Sequence, residues 1–143
     1  MTTLEALRGW LAGFAAPDGT RPFAALTCEY LGPQAGAAGL FPAGSEVTAV
    51  RQDIAGGCVW ERRAQFVLAL LLPKPPGDDR PAAATVEMLE SFTDWATADG
   101  GAPVLGENTR WTAAGGALKS AADEGLGRYE VTLTALYAVR DAD

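Results

Sequence analysis

The segment from Arg128 to Arg140 constrains the fold more than any other. Tyr129, Val131, Leu133, Ala135, Tyr137 and Val139 fall on one face of an extended chain, and Arg128, Glu130, Thr132, Thr134 and Arg140 fall on the other. Successive side chains of a strand point to opposite faces, so this two-residue period specifies a long strand with one covered and one wet side. Parallel sheets are covered on both faces, whereas antiparallel sheets tolerate a solvated one. The segment therefore predicts an antiparallel sheet whose helices lie on a single face.

Two segments have the pattern that such helices need. Leu4, Leu7, Leu11 and Phe14 recur at helical spacing behind Thr2 and Glu5, which have the spacing of a capping box, and Trp10 adjoins the stripe. Pro17-Asp18-Gly19 ends this helix as a turn. Gly9 and Gly13 cost it roughly 1 kcal/mol each against alanine, so packing has to hold it. The second helix starts at Pro81 and runs to about Ala98, with Met88, Leu89, Phe92, Trp95 and Ala96 as its apolar stripe and Glu87, Glu90 and Asp94 as its wet one. Gly100-Gly101 closes it.

The remaining segments read as strands and connections. A strand is expected over about Phe23 to Leu31, stopped by Gly32-Pro33. The glycine- and alanine-rich stretch from Pro33 to Gly44 reads as a flexible loop or projecting arm anchored by Leu40 and Phe41. A hairpin follows, with Val47 to Ile54 alternating, Gly56-Gly57 supplying the turn and Cys58 to Leu72 running back. The second arm begins as an alternating strand on a solvated edge and becomes apolar on both faces. Lys74 to Arg80 is a proline-rich linker; Thr109 to Ala113 is a short strand, and Gly115 to Gly127 a loop or twisted hairpin. The expectation is one α+β domain over residues 1–143, with a mainly antiparallel sheet of four or five strands and both helices packed on one face. Leu26, Phe66, Leu68 and Leu133 join the two helical stripes in its core.

Composition removes whole classes of function. The apolar fraction of 48% is that of an ordinary globular chain. The longest uncharged apolar run, Phe66 to Leu72, falls far short of the roughly 18 residues of a membrane span. The N-terminus lacks the layout of a signal peptide, because Glu5, Arg8 and Gly9 interrupt its apolar positions. Folding in the cytosol and no membrane partner are expected, and there Cys28 and Cys58 read as small buried hydrophobes rather than a disulfide. A net charge of −7 disfavours a phosphate-binding face and sequence-specific recognition of nucleic acid.

No catalytic constellation emerges. The chain has no histidine, which removes the usual general base, the hydrolase triads and most zinc and iron sites. Gly115-Gly116-Ala117-Leu118-Lys119-Ser120 resembles the end of a phosphate loop, but its first glycine is replaced by Trp111. Glu61 and Arg63 share a strand face and read as a solvated or subunit-bridging pair rather than an active site. Glu87, Glu90 and Asp94 lack the further ligands that a cation would need. No cofactor, metal or enzymatic activity is expected.

In this order the segments resemble the minor capsid and tail-terminator (tail-completion) family of tailed bacteriophages. The resemblance is carried by Glu29-Tyr30-Leu31-Gly32-Pro33, by the hairpin at Gly56-Gly57 with the strand Trp60-Glu61-Arg62-Arg63-Ala64-Gln65-Phe66-Val67, and by Arg128-Tyr129-Glu130-Val131-Thr132-Leu133 before Leu136-Tyr137. The helices at Leu4-Glu5-Ala6-Leu7-Arg8 and Phe92-Thr93-Asp94-Trp95 also fit, and the bland stretch from Ala35 to Gly44 departs from the pattern. The resemblance implies a structural virion protein, assembled in the host cytoplasm and residing at the head-tail junction. It would form a ring, typically a hexamer, that caps the tail tube and joins it to the head-side connector. Its partners would be other copies of itself, the tail-tube protein and the connector protein. The expected subunit interface comprises Tyr30, Leu40, Phe41, Trp60, Glu61 and Arg63, with the Pro33–Gly44 segment and the Val59–Arg63 segment as its two sides. The rival readings are a small non-enzymatic bacterial adaptor or binding module, and an enzyme with a histidine-free carboxylate site.

Overall fold

The computed structural model describes residues 2–32, 36–52, 54–73, 80–98, 101–122 and 126–140. It is an α+β fold with two helices and a five-stranded mixed sheet. In chain order the elements are α1 (Thr3–Ala12), β1 (Thr27–Cys28), β2 (Ala38–Gln52), β3 (Cys58–Pro73), α2 (Arg80–Ala98), β4 (Glu107–Ala122) and β5 (Leu126–Arg140). The sheet order is β1-β2-β3-β5-β4. β1 runs parallel to β2, and every other neighbouring pair is antiparallel.

α1 forms where its capping box places it. The Thr2 amide donates to Glu5 Oε2 at 3.1 Å and the Glu5 amide to Thr2 Oγ1 at 3.2 Å, so two otherwise orphaned donors are satisfied. The helix ends at Gly13, and a turn follows in which the Ala16 amide donates to the Thr20 carbonyl at 2.8 Å. That turn carries the chain from Phe14 to Phe23, both fully buried, with rings 5.9 Å apart.

Three expected elements need correction. The strand over 23–31 shrinks to Thr27–Cys28, because Phe23 and Leu26 are drawn into the core through a local turn closed by hydrogen bonds from Ala24 to Arg21 and from Leu26 to Phe23. Glu29 then takes a left-handed conformation, φ 57°, and ends the strand. The 33–44 arm is largely strand: β2 begins at Ala38, while the Gly36 amide and the Ala37 carbonyl already pair with Leu71. Residues 33–35 of that segment lie outside the described residues. Finally, the strand expected over Thr109–Ala113 is longer: β4 runs from Glu107 to Ala122 and pairs with β5, so of the two readings of Gly115–Gly127, loop or twisted hairpin, the described residues follow the hairpin. The proline-rich stretch 74–79 lies outside the described residues, as does residue 100 of the expected second cap.

The core occupies one face of the sheet. On β3 its members are Ala64, Phe66, Leu68 and Leu70, which oppose Ala135, Leu133, Val131 and Tyr129 of β5. Leu40 and Ala38 of β2 oppose Leu68 and Leu70 from the other side. Leu7 and Leu11 of α1 and Leu89, Phe92 and Ala96 of α2 belong to the same cluster. The helices meet each other through aromatic rings: Trp10 stacks on Trp95 at 4.9 Å, and Phe92 lies edge-on to both Phe14 and Phe23. Trp111 ties them to β4, with its ring 5.8 Å from Trp10 and its indole N–H donating to the Pro103 carbonyl at 2.8 Å.

The sheet outruns its cover. β3 has 16 residues, about 50 Å at the usual rise per residue, against about 28 Å for the 19 residues of α2. The excess is the β2–β3 hairpin, where Val47 and Val50 are exposed and Ile54 at the turn is fully so.

Candidate assembly surface

The expected interface residues are not gathered in one place. Tyr30 is 60% exposed, just beyond β1. Leu40 is 0% exposed and belongs to the core, so it is unable to touch a partner, which corrects its assignment to the interface. Its neighbour Phe41 is half-buried on the opposite side of β2. Trp60, half-buried, opposes Val50 and Val139 on the helix-side face beyond the end of the core. Glu61 and Arg63 lie on the other, open face, where Glu61 pairs with Arg51 at 3.4 Å and Arg63 pairs with Glu46.

The backbone of Val59–Arg63 is also not an edge. β3 is paired on one side with β2 and on the other with β5 along this whole stretch, so its hydrogen-bonding groups are used within the chain. Moreover, Phe41 and Trp60–Arg63 belong to two arms of one hairpin, on one side of the molecule. The alternation that identified the strand was right about its faces, but alternation carries no information on which strands flank it.

The open edges lie elsewhere. β1 covers β2 only at Gly39 and Leu40, so the outer side of β2 from Phe41 to Gln52 has no strand partner among the described residues. β4 closes the opposite side of the sheet, and its outer side is likewise unpaired among the described residues. Both edges carry irregularities that blunt casual pairing. β2 shifts register between Pro42 and Gly44 and again between Val47 and Ala49. β4 shifts between Glu107 and Arg110, where Asn108 has a φ of 54°. The second β2 shift breaks the alternation expected over Val47 to Ile54: Val47 and Val50 are both helix-side residues, an odd spacing that an unbroken strand forbids.

The open face is a lattice of exposed charges. Besides the pairs at Glu61 and Arg63, Arg140 meets Glu107 at 2.7 Å and Arg128 meets Glu130 at 2.9 Å. Such half-exposed pairs contribute about 0–1 kcal/mol each and order the face more than they stabilise it. Arg110 at the β4 edge makes no ion pair among the described residues, although Leu136 beside it is exposed. On the turn after α1, hydrogen bonds from the Thr20 hydroxyl and amide hold the fully exposed Asp18 carboxyl below the ordinary carboxylate value.

No group of three or more potential metal ligands is present among the described residues. The stretch Gly115–Ser120 lies within β4 and runs antiparallel to β5, so no helix N-terminus follows it as a phosphate loop requires. Cys28 and Cys58 are half-buried and unbonded. No helix among the described residues is long and apolar enough to cross a membrane. An open groove of about 460 Å³ lies beside the start of α1, lined by Thr3, Pro42, Ser45, Phe66 and Leu105 among others. Compared with known proteins, the chain matches no family model and no curated protein.

Proposed function

We propose that this chain is a non-enzymatic structural subunit of a tailed-phage or prophage virion. In this reading it assembles as a ring, typically of six, that caps the tail tube and joins it to the head-side connector. The observation that supports it best is the pair of open strand edges on opposite sides of one sheet. A subunit with two different edges can bind head-to-tail, and a head-to-tail contact that closes by rotation makes a ring. The negative net charge suits a channel through which DNA passes without being gripped.

The test is mass by light scattering on the purified protein, alone and with its tail-tube protein, together with negative-stain microscopy. A closed multiple of the 14.8 kDa chain, or a ring seated on the tube end, is the expected result. A protein that stays monomeric and binds neither tube nor connector would instead favour the adaptor reading, for which the groove beside α1 is of ligand-binding size.

A further inference from the structure

We infer that the outer edge of β4 in one copy pairs, antiparallel, with the outer edge of β2 in the next, with Arg110 opposite the neighbour's Glu46. This deepens the ring reading and rests on it, because it names the two surfaces that meet.

Strand direction allows the contact without any reorientation. β2 and β4 run in opposite senses, since β2, β3, β5 and β4 alternate direction along the sheet. A copy placed beside another in the same orientation therefore sets β4 against β2 as an antiparallel pair, the geometry that continues the sheet.

The register follows from the rows of residues that cross the sheet. One row runs Glu46, Arg63, Leu136, Arg110. The next runs Ala49, Glu61, Ala138, Glu107. On the other side lie Ser45, Ala64, Ala135, Trp111. Joining each row of one copy to the same row of the next sets Arg110 against Glu46 and Glu107 against Ala49, diagonal to Arg51. Opposite charges then meet directly at the first position and diagonally at the second on the open face, and Arg110, which makes no ion pair among the described residues, gains one.

One irregularity on each edge matches as well, whereas the β2 shift between Pro42 and Gly44 falls where β4 advances by a single residue, from Thr112 to Ala113, and bounds the matched stretch. Between the first two rows β3 advances two positions, but β2 advances three, with Thr48 in the shifted segment. β4 also spends three positions there, with Asn108 in the left-handed conformation. In this register the extra residues of this stretch oppose each other, so both strands switch faces together there and side chains stay matched from Gly44 onward. A two-fold pairing of β2 with β2 lacks that match and, centred on the same stretch, sets Glu46 against Glu46.

The test is disulfide trapping in a Cys28→Ser, Cys58→Ser background. β3 and β5 separate β2 from β4 by about 14 Å, three strand spacings. That is beyond the roughly 4.4–6.8 Å that a disulfide spans between Cα atoms, so Glu46→Cys with Arg110→Cys bonds only between copies. The expected result is a non-reducing ladder of dimers, trimers and higher species from the double variant, and none from either single variant. Independently, Arg110→Glu should weaken self-association by about tenfold or more, and adding Glu46→Arg should restore it in part. Dimers from Glu46→Cys alone would replace the inference with two-fold pairing. If the unaltered chain forms rings by light scattering while the double variant yields no ladder, the edge pairing is wrong and the ring reading stands. If neither associates, alone or on the tail tube, both fall.

Discussion

At the scale of single residues, the aromatic rings between the helices differ in burial, and their contributions to stability should differ with it. Phe92 is fully buried, edge-on to Phe14 and Phe23 at 5.2 and 5.0 Å, while Trp95 stacks on Trp10 but keeps part of its ring at the surface. Truncating a buried ring removes its transfer free energy and leaves a cavity. Phe92→Ala should therefore cost about 3–5 kcal/mol. Trp95→Ala should cost less than that, because a half-exposed ring loses fewer contacts and leaves a site that water can enter. Denaturant midpoints with unchanged slopes would measure both. Equal costs would place the two rings in equivalent surroundings, contrary to their burial.

At the scale of elements, two glycines test how the pieces are joined. A Cβ on Gly39 would lie 2.3 Å from the Tyr30 carbonyl oxygen and 2.9 Å from the Phe41 ring. The first of these neighbours is backbone, at the place where the segment after β1 passes over β2. Gly39→Ala should destabilise by about 1–3 kcal/mol, as overpacking does. Gly9, inside α1, has nothing within 4 Å of such a Cβ. Gly9→Ala should stabilise by roughly 0.5–1 kcal/mol, since it removes backbone freedom from the unfolded chain without strain in the helix. Thermal unfolding of the two variants should shift in opposite directions; a shared direction would mean that close approach does not govern the β1–β2 junction.

At the scale of the whole molecule, the sheet is an insulated core face joined to an ordered, charged open face that ends in two edges. Arg63 illustrates the coupling. It lies on an interior strand and pairs with Glu46, which stands on the β2 edge. Arg63→Glu should leave the melting temperature nearly unchanged, because half-exposed pairs contribute at most about 1 kcal/mol. The same change should weaken self-association, since a carboxylate in that position repels Glu46 from its place at the edge. Light scattering beside a thermal melt separates the two effects. A large loss of stability with assembly intact would make Arg63 a residue of the fold rather than of the interface.

What the sequence by itself determined is whatever depends on period and on local chemistry. The Thr2–Glu5 cap, the helical stripe through Phe92, the β2–β3 hairpin and the faces of β5 all follow from spacing, because a side chain's direction is fixed by its own backbone. The absence of histidine likewise bounded the chemistry before any fold was known. Strand neighbours are another matter. A blander segment such as Ala38–Gly44 has too few side chains to announce a strand, yet β3 supplies the hydrogen bonds that make it one. Leu40 looked like the anchor of a loose arm and is a core residue, because the register with Leu68 turns it inward. Val59–Arg63 looked like an edge and is interior, because β5, encoded at the far end of the chain, pairs with its second side. Edges exist only once strand order is set, and strand order is settled by which apolar faces can be buried together under the two helices. The surface on which the proposed function rests was therefore decided by the tertiary structure alone.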